Sequence, residues 1–146
     1  MSFSEPRVLS ASAANEAVAL WEQAGLTRPW NDPHADFRRA LESPAAEVLG
    51  IHDDAGALAA TVMVGVDGHR GWIYYLAAAE EHRGQGLGQR LISAAEDWVR
   101  SQGIAKLMLM VRTENSGLAE YYEQLGYQRQ ETTVYGRRLI QDSPST

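Results

Sequence analysis

The stretch from Gly71 to Ser101 constrains the fold most, because its hydrophobic period changes partway along it. Gly71-Trp-Ile-Tyr-Tyr-Leu76 is a short apolar and aromatic run of strand type. From Leu87 onward, apolar residues recur at Leu91, Ala94, Ala95, Trp98 and Val99, the spacing of one helical face. The junction reads Leu76-Ala-Ala-Ala-Glu-Glu-His-Arg-Gly-Gln-Gly-Leu-Gly88. The chain must therefore pass from strand to helix through a glycine-rich loop. Glycines let the backbone approach a ligand closely and adopt conformations that other residues resist. The first helical turn adds unpaired N–H groups and the positive end of the helix dipole, an arrangement that attracts phosphate. Arg83 supplies a cation that can fork onto phosphate oxygens.

Spacing separates the phosphate loops that could fit. A P-loop requires a Gly-Lys pair, and there is none. A dinucleotide loop requires its third glycine at position 89, which is Gln89, and an acidic residue about twenty positions on. What remains is Arg-x-x-Gly-x-Gly, met by Arg83, Gly86 and Gly88; a tight turn holding no ligand is the alternative.

The rest of the chain supplies a frame for this junction. Arg7-Val8-Leu9 reads as a first strand, with Ser10 or Ser12 able to cap the helix that follows through Val18, Leu20 and Trp21 to Gly25. Arg28-Pro-Trp-Asn-Asp-Pro33 is a structured turn. Asp32 or Asn31 can cap a second helix beginning at Pro33, which Ser43-Pro44 stops. Strands are expected over 46–52, 58–66 and 71–78, joined by hairpin signals at Asp53-Asp-Ala-Gly56 and Asp67-Gly68. Lys106-Leu-Met-Leu-Met-Val111 has the continuous apolar character of a strand buried on both faces. Asn115 or Ser116 starts a last helix ended by Gly126, and two final strands are expected over 127–130 and 133–140. The order β-α-α-β-β-β-α-β-α-β-β implies an α/β (α+β) chain: one mixed, twisted sheet of about seven strands flanked by about four helices. A single domain spans 1–146, with a frayed polar tail at 142–146.

Composition closes off several functions. With 146 residues there is room for one ordinary domain. A net charge of −6 argues against nucleic acid as the main partner and suits a cationic substrate. There are no cysteines, so disulfides, a cysteine nucleophile and thiolate metal sites are excluded. His34, His52 and His82 show no metal-ligand spacing, and no metal is expected. His69 falls at the start of the 71–78 strand, ~20–25 Å from the loop at its far end. No apolar run approaches the ~18 residues of a membrane span, so a cytoplasmic protein with no membrane partner is expected.

Asn115-Ser-Gly-Leu-Ala-Glu-Tyr-Tyr-Glu-Gln-Leu-Gly-Tyr127 is a second motif. With the Arg83–Gly88 loop it resembles the GCN5-related N-acetyltransferases, the GNAT family, over essentially the whole chain. Leu118 departs from that pattern where alanine is usual, Glu80 where proline is common and Ala78 where valine is common. Arg28–Pro33, Asp67–Leu76 and Gly136–Ile140 further resemble the YpeA-type bacterial acetyltransferases. The resemblance implies acetyl transfer from acetyl-CoA to a primary amine, on a small molecule or a protein, by direct attack, in a monomer or homodimer.

It also implies the roles of residues. Pantetheine would pair with Leu76, Ala77 and Ala78, and the Ala78 backbone N–H would hold the developing oxyanion. Arg83, Gly84, Gln85, Gly86, Leu87, Gly88 and Gln89 would cradle the pyrophosphate. Asn115 would contact the pantetheine arm, and Tyr122 would protonate the departing thiolate. Arg28, Trp30, Asn31, Asp32 and Tyr75 would wall the acceptor pocket, the alternatives being that Trp30 and Asp32 only pack and cap and that Tyr75 packs in the core. The residues reveal no general base.

Overall fold

The computed structural model describes residues 2–141, which fall into two compact units, 2–108 and 109–141. The tail expected to fray, 142–146, lies outside the described residues.

The first unit is a five-stranded sheet in the order β1-β2-β3-β4-β5, formed by Arg7–Val8, Ala46–His52, Leu58–Val66, Gly71–Ala78 and Leu107–Met108. β1 to β4 pair antiparallel in succession, β2–β3 and β3–β4 through hairpins. β5 joins β4 in parallel after a crossover through α3, Leu87–Ser101.

Helices cover both faces. On one side, α1 (Ala14–Gln23) and α2 (Pro33–Glu42) bury Ala17, Val18, Trp21, Phe37 and Ala40 with Val48 of β2 and Ala77 of β4. On the other, α3 buries Leu87, Leu91, Ile92, Ala95 and Val99. It comes so close to β4 that a Cβ on Gly71 would stand 2.7 Å from Val99 Cγ2. Trp21 and Phe37 are almost fully buried, and side chains of this size gain about 1.5–3 kcal/mol each on leaving water.

The second unit contains α4, Ser116–Gln124, capped by Asn115, whose side-chain oxygen accepts from the Leu118 N–H at 3.1 Å. Gly126, at φ 97°, ends it as expected.

Three expectations are corrected. The sheet has five strands, not about seven: the segments at 127–130 and 133–140 form no ladder among the described residues. Val134, Tyr135, Leu139 and Ile140 remain 67–90% exposed, so nothing rewards pairing there with burial. The run 106–111 yields a strand of only two residues, Leu107–Met108, partly exposed instead of buried on both faces, because β4 pairs with it only at Gly71 and Trp72. Neither Ser10 nor Ser12 caps α1. Their hydroxyls share a 2.8 Å hydrogen bond with each other, and a 3₁₀ turn at Ala11–Ala13 leads into the helix.

Candidate active site

β4 outruns its parallel partner. Its last pair with β5 is Trp72–Met108, and among the described residues no strand lies against 73–78 on that side. Within the first unit the backbone of Leu76, Ala77 and Ala78 thus has no ladder partner on that side, at the carboxyl end of a strand, where ligands of open α/β sheets bind. Ala77 and Ala78 pair on their other side with Thr61 and Ala60 of β3, which fixes their position.

The loop that follows is built in two steps. A 3₁₀ turn, Glu80–His82, closes with the His82 N–H donating to Ala79 O at 2.9 Å. His82, only 7% exposed, then anchors the chain. Its Nε2 stands 3.5 Å from Asp53 Oδ2 in the β2–β3 hairpin, and Phe3 packs edge-on against its ring at 5.1 Å. Backbone N–H groups of Ala57 and Ala55, together with His82, hold the Asp53 carboxyl below the usual carboxylate range; the Ala57 bond is the largest of these causes. Arg90, one turn into α3, ties the helix to the same N-terminal segment by donating to Ser4 O at 2.9 Å.

Beyond this anchor Arg83, Gly84, Gln85 and Gly86 are exposed. Gly84 and Gly86 both take left-handed backbone, φ 81° and 79°, and Gly86 is the N-cap of α3. A Cβ at either would meet no protein atom within 4 Å, so the requirement for glycine is conformational and the space beside it is open. Helix geometry leaves the N–H groups of Leu87, Gly88 and Gln89 without intrahelical partners. Positive dipole end, free donors, open space and the Arg83 guanidinium together make a cradle with the chemistry of a phosphate site.

The acceptor-side residues fare differently. Asp32 caps α2 by accepting from the Ala35 N–H at 3.2 Å, and Pro33 occupies the first helical position, as expected. Arg28 is spent locally, Nη1 donating to the carbonyls of Gly25 and Thr27 at 2.9 Å. The Asn31 N–H closes the turn onto Arg28 O at 3.0 Å, while Trp30 stands 49% exposed at its tip. Tyr75 lies with its ring stacked on Trp21, centroids 3.8 Å apart, and its hydroxyl donates to Asp36 Oδ2 at 2.7 Å. Asp36 carried no signal in the sequence: it falls between core positions of a helix and reads as solvated surface. His69 is exposed in the hairpin before β4, where its backbone N–H donates to Asp67.

In the second unit Tyr122 is 6% exposed, packed edge-on against Tyr121 and Tyr127. Burial, and secondarily Tyr121, pushes its hydroxyl up to about 12, so the proton-bearing form prevails at neutral pH. Among the described residues no group of three or more His, Asp or Glu is placed to hold a metal ion. No helix is long and apolar enough to cross a membrane.

The profile of the acetyltransferase (GNAT) family matches residues 15–127, from α1 through α4. The chain belongs to that family. It is accordingly an N-acetyltransferase, an enzyme of acetyl transfer. It is 41% identical to an acetyltransferase of Yersinia enterocolitica, over 94% of this chain and 97% of that one. Its fold matches AAC(6')-Iy in complex with the bisubstrate analogue CoA-S-monomethyl-acetylneamine, with a TM-score of 0.80 at 16% identity, over 96% of this chain and 100% of that one. It also matches a ribosomal-protein-alanine N-acetyltransferase of Brucella melitensis, with a TM-score of 0.72 at 25% identity, over 94% of this chain and 100% of that one. The two motifs of this acetyltransferase, 83–88 and 115–127, lie within the matched span.

Proposed function

We propose that this acetyltransferase moves an acetyl group from acetyl-CoA to a primary amine by direct attack. Acetyl-CoA brings the acetyl group on a thioester; an ammonium first loses a proton to water, the neutral nitrogen attacks the carbonyl carbon, and the thiolate leaves as the nitrogen gives up a second proton and the amide forms. The reading rests above all on the loop at Arg83–Gln89, where two left-handed glycines open a helix beside empty space. Arg83 and the N–H groups of 84–89 bind the pyrophosphate. The free edge of Leu76–Ala78 pairs with pantetheine as a short strand would, and an N–H near Ala78 stabilises the oxyanion.

Tyr122 gives its proton to the departing sulfur, a role supported by its place in the second motif and by its protonated state. Asn115 contacts the pantetheine arm through whatever capacity its cap bond to Leu118 leaves. On the acceptor side, Trp30 and Asp32 contribute, and the net charge of −6 favours a cationic amine. The structural neighbours named above span an aminoglycoside-derived ligand and a ribosomal protein, so small molecules and protein N-termini are both tested.

The experiment is thiol release from acetyl-CoA in the presence of polyamines, aminoglycosides, lysine derivatives and peptides with free N-termini. Saturable, amine-dependent release that yields an acetylated amine supports the proposal. Binding of CoA with no transfer to any amine class would favour a module that binds acyl-CoA without catalysis.

A further inference from the structure

Tyr75 is the sole non-glycine residue among those described with a positive φ, 53°. Left-handed backbone is costly for a residue with a Cβ, and more so for a bulky one, so something must enforce it. Three parts of the residue are held separately. Its ring stacks on Trp21, itself fully buried, with the planes 11° apart. Its carbonyl accepts from Thr61 Oγ1 at 3.1 Å, and Thr61, also fully buried, in turn accepts from Trp21 Nε1 at 2.8 Å. Its hydroxyl donates to Asp36 Oδ2 at 2.7 Å, while Arg39 Nη2 holds the other oxygen of that carboxylate at 2.7 Å.

The conformation has a consequence for the strand. Met63 pairs with Tyr74 and Thr61 with Ala77, so three steps along β4 match two along β3. The extra residue is a β-bulge, and it reverses which face the following side chains take and how the following amides are aimed. Leu76, Ala77 and Ala78 come directly after it.

We propose that Asp36 is a positioning residue: by holding the Tyr75 hydroxyl it locks the bulge, and so aims the backbone of Leu76–Ala78 at the acetyl carbonyl. The inference rests on the function proposed above for that backbone. Asp36 needs only to accept a hydrogen bond, not to carry charge to the substrate, and this distinguishes it from a general base or an ammonium anchor.

The test compares Asp36→Leu, Asp36→Asn and Tyr75→Phe for kcat, for KM of acetyl-CoA, and for the backbone amide NMR shifts of Leu76–Ala78 without ligand. Losing the lock should lower kcat ~10–100-fold in Asp36→Leu and Tyr75→Phe, the scale expected of a displacement near 1 Å. KM for acetyl-CoA should rise by a smaller factor than kcat falls, since the pantetheine edge moves but the phosphate loop is untouched, and the three amides should shift. Asp36→Asn, whose amide oxygen still accepts from the phenol, should restore most of kcat and the native shifts. Unmoved amides and unchanged kcat in a folded Asp36→Leu would overturn the inference. So would an Asn variant as impaired as the Leu variant, which would assign the carboxylate a direct role. If the unsubstituted protein transfers no acetyl group, the proposed function fails, and the amide shifts still decide whether Asp36 sets the bulge.

Discussion

Replacing Gly86 by Ala isolates the phosphate loop from the rest of the fold. Gly86 has a φ of 79°, and an added Cβ would touch nothing within 4 Å. The penalty in the free protein is then backbone strain alone, about 1–2 kcal/mol. For a chain of this size that lowers Tm by about 2–8 °C. Gly56, in the β2–β3 hairpin, has the same left-handed backbone, φ 85°, and the same empty surroundings, so Gly56→Ala is a matched control for strain. The two variants should lose similar stability. They should differ in CoA binding, because at Gly86 the new methyl enters the space assigned to pyrophosphate oxygens. Loss of one charge-assisted contact costs about 1.5–3 kcal/mol, which is about 10–150-fold in Kd. Calorimetric titration with CoA, beside thermal melts of both variants, provides the comparison. A Gly86→Ala protein that melts like Gly56→Ala and binds CoA as tightly would refute the loop assignment, leaving a turn with no ligand.

Arg83→Ala should weaken CoA binding by roughly 1.5–3 kcal/mol without lowering Tm, since the side chain is exposed; equal affinity in a calorimetric titration would remove it from the site. Tyr122→Phe should lower kcat about tenfold or more with CoA affinity little changed. Burial pushes its hydroxyl up to about 12, above the usual phenol value, so the folded chain keeps it neutral beyond pH ~10; the stability this contributes is fully present below pH ~10 and is lost as pH rises toward 12. An alkaline limb in kcat at pH ~9–10 that vanishes in the Phe variant would contradict that titration. Asp32→Ala should lower stability by about 1 kcal/mol, the worth of a helix cap. Trp30→Ala should raise the acceptor's KM while leaving acetyl-CoA binding intact; an unchanged KM would place the acceptor elsewhere.

What the sequence reveals here follows how local each interaction is. The junction from Gly71 to Ser101 is readable because period, glycines and helix face all lie within one continuous stretch. The α2 start is readable for the same reason: Asp32 and Pro33 act on groups within three residues. The bulge at Tyr75 is not readable. A tyrosine inside an apolar run has none of glycine's signature, and its partners Thr61 and Asp36 lie 14 and 39 positions away. The sequence leaves Tyr75 either facing the acceptor or packing in the core, and only its stacking on Trp21 and the placement of Asp36 reveal what holds it. The same limit explains the missing strands. Thr133, Val134, Tyr135 and Ile140 express a strand propensity, but pairing is decided by tertiary context that lies outside a local window. Ser10 and Ser12 fail as caps because the two hydroxyls satisfy each other.

The central claim is that acetyl-CoA lies along the open edge of β4 with its pyrophosphate on the loop that opens α3. Titration of ¹⁵N-labelled protein with acetyl-CoA tests this residue by residue. The account predicts saturable amide shifts, largest at Leu76–Ala78 and at Gly84–Gln89, that disappear at the loop in Gly86→Ala. Shifts that leave both segments unmoved would contradict it.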